Sequence, residues 1–182
     1  METMLSNIYE EKEVLLKILK EFREKNSKVI DELGKKDIKR VLILATGSSM
    51  NAAQTTKYFL EDILDCFIEI KEPFNFYNYE KIDNDLDLVI AITQSGKSSS
   101  TIEALKYIKE NSKIKTLTIT SDNESPVIEY SDLILNLNFG IEKVGFVTKG
   151  FSATILNIFL LGIFLGESRT SISKEKFERY LK

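Results

Sequence analysis

The sequence predicts an α/β fold: a three-layer α-β-α sandwich on a five-stranded parallel sheet in the order 2-1-3-4-5. Three observations carry this. Short apolar runs alternate along the chain with segments of helical period. The runs are apolar throughout rather than at every second residue, so both faces of the sheet must be covered by helices. Two of them stop abruptly in hydroxyl-rich turns that lead straight into helical patterns, as happens at the C-terminal ends of parallel strands.

In chain order, apolar residues from Leu5 to Leu33 recur at helical spacing among Glu and Lys, and Gly34 supplies a stop; this is one long helix or two short ones. Arg40–Ala45 is the first strand, Thr46–Ser49 a turn, and Met50–Leu64 an amphipathic helix. Phe67–Ile70 is a second strand, after which Pro73 breaks the chain into an irregular aromatic connection, Phe74–Tyr79. Leu86–Ile92 is the third strand; Ser100-Thr-Ile-Glu103 reads as a capping box opening a helix that runs to about Asn111. Thr116–Thr120 and Leu133–Leu137 are strands four and five, with Ser125-Pro126 starting a short helix between them. Residues 139–150 are irregular, an apolar helix spans about 148–165, and Ser173–Leu181 is a charged helical piece. The domain division is then 1–34, an N-terminal helical segment, 35–166, the core domain, and 167–182, a C-terminal helical extension. The order is that of flavodoxin-like folds, and the strand order reverses between strands one and three.

A chain of 182 residues with 43% hydrophobic and 29% charged content is globular, and a net charge of −3 with mixed signs shows no nucleic-acid or membrane footprint. One cysteine, Cys66, excludes a disulfide framework and suits a reducing, cytoplasmic compartment as a small core residue. Histidine is absent, which removes the commonest acid–base group and metal ligand; neither a metal site nor a cofactor is predicted. The N-terminus is not a signal or transit peptide, and Ile155–Leu165 is shorter than the ~20 residues that span a bilayer. That helix is apolar almost all round, from Phe151 to Leu165, and predicts either a central core helix or, as favoured here, a homodimer interface.

The loop Thr93-Gln94-Ser95-Gly96-Lys97-Ser98 organises the chain. Hydroxyls, an amide and a cation at a helix start suit an anion, above all a phosphate, because first-turn N–H groups are unpaired and the helix dipole favours negative charge. Gly47, Ser48 and Ser49 face it across the reversal point. Ser48, Ser49, Ser98 and Ser100 would equally serve as ordinary helix caps, and Gly47 and Gly96 as tight turns. A dinucleotide site lacks its Gly-x-Gly-x-x-Gly after the first strand. A nucleotide P-loop on Ala91–Ser98 has alanine where the wrap needs glycine, and it has no apolar strand ending in a magnesium-binding Asp.

Gly47-Ser48-Ser49, Thr93–Ser98 and Glu142-Lys-Val-Gly-Phe-Val-Thr148-Lys149-Gly-Phe together resemble three landmarks of the sugar isomerase (SIS) domain family, in its order, over about residues 35–166. The likeness is closest to the N-terminal half of double-SIS proteins, which include the isomerase part of glucosamine-6-phosphate synthase and the fructosamine-6-phosphate deglycases. It implies that Ser49, Thr93, Gln94, Ser95 and Ser98 reach the phosphate and that Gly96 is the loop glycine. Lys97 stands where the family usually has Glu, which adds a cation near the phosphate. Val147 replaces a sugar-contacting Ser, whereas Thr148 and Lys149 are retained beside the sugar. Glu142 is the carboxylate best placed for proton transfer by resemblance, but a surface or structural role is the favoured reading.

The resemblance implies a phosphorylated sugar or amino sugar as ligand. As an enzyme, the chain is an isomerase or deglycase half completed by a second SIS half or a partner subunit, since it ends where that half would begin. As a module, it senses or holds a sugar phosphate without turnover. A compact single-SIS isomerase is a third form, although such enzymes generally use histidine.

Overall fold

The computed structural model describes residues 2–140, 142–145 and 147–182. Five strands, β1 (Arg40–Ala45), β2 (Phe67–Lys71), β3 (Leu88–Ile92), β4 (Lys115–Thr120) and β5 (Leu133–Asn136), form one parallel sheet in the order β2-β1-β3-β4-β5. The helices are α1 (Met4–Lys25), α2 (Ser27–Gly34), α3 (Gly47–Leu64), α4 (Pro73–Tyr79), α5 (Ser99–Asn111), α6 (Lys149–Ser168) and α7 (Lys174–Tyr180), with a 3-10 turn at Pro126–Tyr130. Strand residues of alternate parity feed opposite layers. Ile43, Ile90 and Ile119 pack under α1, α2, α3 and α6, while Leu44, Val89 and Ala91 pack under α4, α5 and the 3-10 turn. The predicted three-layer sandwich and strand order are therefore present.

Several boundaries differ from the expectation for local reasons. The N-terminal helix divides at Asn26, whose side-chain amide donates to the Phe22 carbonyl at 3.1 Å and ends α1. The stretch after Pro73 is helical, not irregular: proline takes the first helical position and the Glu72 carboxylate caps it from the Asn75 N–H at 3.1 Å. α3 begins at Gly47, so Ser48 and Ser49 lie inside its first turn. α5 begins at Ser99, one residue before the predicted capping box, and its N-cap Ser98 makes no side-chain cap.

α6 runs through Gly166 to Ser168, longer than its sequence pattern, and is long and apolar enough by composition to cross a bilayer. It is instead mostly buried inside the domain, packed against α3, α1, α2 and α7. Phe164 stacks on Phe22 of α1 with ring centroids 5.4 Å apart, and Phe159 meets Phe59 of α3 edge-on at 4.9 Å. Most of the apolar girth that suggested a dimer interface is buried within the chain, with Phe151, Ile155 and Phe159 left half-buried.

Two predictions follow from local geometry. Gly96 has φ +65°, and a Cβ there would lie 1.9 Å from Ser125 Oγ, whereas Gly47 has φ +55° and open space around it. Chemical denaturation should show Gly96→Ala losing roughly 2–5 kcal/mol, from left-handed strain plus overpacking, and Gly47→Ala only about 1–2 kcal/mol. Burial pushes the Cys66 thiol up to about 11. The unfolded thiol ionises first, so stability should fall as pH rises from about 8.5 toward 11, and a Cys66→Ala chain should lose that slope. Iodoacetamide should accordingly label folded Cys66 slowly near neutral pH.

Candidate functional site

β1 and β3 are neighbours with Ala45 in register with Ile92, so the chain leaves both strands at the same level. Between the two exits lies a crevice of about 340 Å3. Thr46, Gly47, Ser48 and Ser49 form one wall; Thr93, Gln94, Ser95, Ser98 and Thr101 form the other. This is the reversal point of the sheet, where ligands of such folds bind.

Neither helix start at the crevice is closed by a side chain. Thr46 and Ser98 are the N-caps of α3 and α5, both with extended backbone, and neither side chain caps its helix. The Ser98 hydroxyl instead lies 3.2 Å from Ser100 Oγ and accepts from Thr101 Oγ1 at 3.0 Å. Ser48 and Ser49 lie inside the first turn and are not at the cap position. The alternative reading of these serines as ordinary caps thus fails at each helix start, and first-turn N–H groups of two helices remain for a ligand.

The loop between them is held from behind. Thr93 N–H donates to the Ile119 carbonyl at 3.0 Å, extending the β3–β4 ladder by one residue. The Gln94 carbonyl accepts from Ser121 N–H at 2.9 Å, Ser121 Oγ at 2.6 Å and Thr120 Oγ1 at 3.2 Å. The Gln94 side-chain amide donates to Thr154 Oγ1 of α6 at 3.3 Å. Gly96 is a buried turn residue whose carbonyl accepts from Val127 N–H at 3.3 Å. Ala91 lies within β3, so the chain does not leave the strand early enough to wrap phosphates as a P-loop does.

A second, smaller cavity of about 120 Å3 adjoins the crevice and shares Gln94 and Ser95 with it. Lys97 lines this cavity and not the crevice, together with Ser121 and Asp122 on one side and Phe139, Glu142, Val144 and Val147 on the other. Predicted residues from two distant stretches therefore meet here. Glu142 is heavily committed. Its Oε1 accepts from Asn7 Nδ2 at 3.1 Å, from Thr148 N–H at 2.9 Å and from the Thr148 hydroxyl, and its Oε2 accepts from Gly150 N–H at 3.2 Å. Thr148 is thus engaged with Glu142, and Lys149 turns toward α1, where its Nζ lies 2.6 Å from Glu10 Oε2; neither lines the cavity. Sequence reasoning missed Thr101, Ser121, Asp122, Phe139 and Val144. Only Thr101, one turn into α5, was within reach of the helix-start pattern.

Comparison with known proteins agrees with this architecture. The SIS domain model matches residues 36–163. A glutamine–fructose-6-phosphate aminotransferase (isomerizing) of Campylobacter jejuni is 32% identical over 169 residues, covering 91% of this chain and 28% of that protein. Its Neisseria meningitidis counterpart is 37% identical over 157 residues, 86% of this chain and 25% of that protein. The chain therefore spans little more than a quarter of the curated relatives it matches. A phosphosugar isomerase candidate from Clostridium difficile 630 superposes with a TM-score of 0.88 at 28% identity, over 99% of this chain and 50% of that one. The Vibrio vulnificus NanR protein complexed with ManNAc-6P shares the fold alone, with a TM-score of 0.64 at 16% identity over 94% of this chain and 64% of that one. With a family model matching residues 36–163, most of its length, this chain belongs to the SIS domain family.

Proposed function

We propose that the chain binds a phosphorylated sugar or amino sugar, with the phosphate in the crevice between Gly47–Ser49 and Thr93–Ser98. The observation that carries this reading is the pair of helix starts, α3 and α5, that lack side-chain caps and open onto one hydroxyl-lined crevice. Backbone N–H groups and the hydroxyls of Ser49, Ser95 and Ser98 would hold the phosphate oxygens. The sugar would extend past Gln94 and Ser95 into the adjoining cavity, toward Val147 and the Lys97 side. SIS membership and the phosphosugar enzymes among its relatives support the same ligand class.

Isomerisation or deglycation moves a proton between adjacent sugar carbons after ring opening, and needs a carboxylate or imidazole free to exchange it. This chain has no histidine, and Glu142 has both oxygens committed to four donors. Our reading is that it serves as the phosphate-binding half of an isomerase or deglycase, paired with a second SIS domain that carries the acid–base groups. A non-catalytic sensor is the second form of the same reading, favoured by the same two observations.

Calorimetric titration with fructose 6-phosphate, glucosamine 6-phosphate, inorganic phosphate and ATP with magnesium tests the ligand class. Ser95→Ala should weaken sugar-phosphate binding roughly 10- to 100-fold, the worth of one hydrogen bond to a charged group; binding of ATP alone would refute the proposal. Glu142→Gln places an amide NH2 among donors, so it should lower unfolding free energy by about 1–3 kcal/mol. Loss of turnover at unchanged stability, measured in an assembled two-half enzyme, would instead make Glu142 the proton carrier.

A further inference from the structure

The wall of the smaller cavity is held from α1 as well as by contacts within itself. Glu142, Val144 and Val147 lie between the end of β5 and the start of α6, where the described residues belong to no helix or strand. Its two ends are gripped by the first turns of α1, more than 130 residues away in sequence. Near the front end, Glu2 Oε1 accepts from Lys143 N–H at 3.1 Å, and Asn7 Nδ2 donates to Glu142 Oε1 at 3.1 Å. At the rear, Lys149, with only 8% of its side chain exposed, pairs with Glu10 Oε2 at 2.6 Å.

The geometry points to α1 as part of the ligand site: Asn7 and Glu10 are positioning residues that set the sugar-facing wall formed by Glu142, Val144 and Val147. This rests on the sugar-phosphate reading above and adds which element shapes its sugar side. Two features distinguish a clamp from incidental packing. Asn7 is fully buried on a helix otherwise rich in charge, and among the described residues its Oδ1 has no partner, so its amide is kept at a polar cost that an apolar residue would avoid. Lys149 is a buried ammonium at the first position of α6, where the helix dipole disfavours a cation; pairing with Glu10 offsets that. Glu142 then relays the grip of Asn7 to the amides of Thr148 and Gly150, so both ends of the wall move with α1. The crevice, in contrast, is anchored through β4 and the sheet, and does not depend on α1.

The test separates wall from crevice. Wild type, Asn7→Ala, Glu10→Gln and the charge-swapped Glu10→Lys/Lys149→Glu chain are titrated with glucosamine 6-phosphate, fructose 6-phosphate and inorganic phosphate. Hydrogen exchange is followed over residues 142–150 and over β3. The single variants should lose roughly tenfold in sugar-phosphate affinity while inorganic phosphate binding stays unchanged, and the swap should recover most of the loss seen with Glu10→Gln. Exchange should rise at Thr148 and Gly150 and stay constant in β3. Unchanged sugar-phosphate affinity, or equal loss for both ligands, overturns the positioning role, as does unchanged exchange. If the wild-type chain takes up neither ligand, the sugar-phosphate reading fails and the positioning role with it, even where exchange reports the clamp intact.

Discussion

The site depends on a constraint of parallel sheets: every crossover helix begins at the same edge of the sheet, with its unpaired N–H groups facing outward. Between β1 and β3 the crossovers part, α3 passing over one face and α5 over the other. The two exits cannot cover each other, and a crevice opens where two helix dipoles converge. Leaving both starts without a side-chain cap forgoes about 1 kcal/mol at each. That small loss is offset by rigidity, because the loop backbone is already held by Thr120, Ser121 and Ile119 before any anion arrives. A ligand then orders little that was loose, and less of its binding free energy is lost to entropy.

α6 joins this edge to the core. Its apolar residues pack against helices on its own side of the sheet, while its buried polar groups cluster toward its first half, where they serve neighbouring loops. Thr154 receives the Gln94 amide, and Asn157 donates to the Leu137 carbonyl at 3.0 Å, fixing the exit from β5. A buried donor left unpaired is costly, so these contacts also fix the rotation of a helix whose apolar surface alone would not. The same rotation brings Lys149 to Glu10 and away from the cavity.

Strand number, strand order and the two loops were legible because each rests on local chemistry. An all-apolar run of five or six residues has few alternatives to a buried strand, and a hydroxyl-rich stop before a helical pattern is a helix start in almost any context. Pro73 was misread because proline ends helices and begins them with equal effect; the deciding factor is the Glu72 carboxylate reaching the Asn75 N–H. The capping box at Ser100 was misread for a related reason. Its residues suit a cap, but the chain turns two residues earlier, where Ser98 takes the cap position without performing it. The girth of α6 was legible as burial but not as to what buries it, since apolar surface does not name its partner.

The sequence by itself determined that this is a doubly wound α/β domain with a hydroxyl-rich edge of helix starts, because secondary structure and helix-start chemistry are written in neighbouring residues. Tertiary structure decided which of the motif residues line the crevice and which do not. Lys97 and Val147 line a second cavity, Glu142 is bound up among four donors, and Lys149 is spent on α1. Those outcomes turn on contacts between residues more than a hundred positions apart, such as Asn7 with Glu142 and Glu10 with Lys149. No local pattern carries such pairings; they arise only when the packing of α1 against α6 brings the two ends of the chain together.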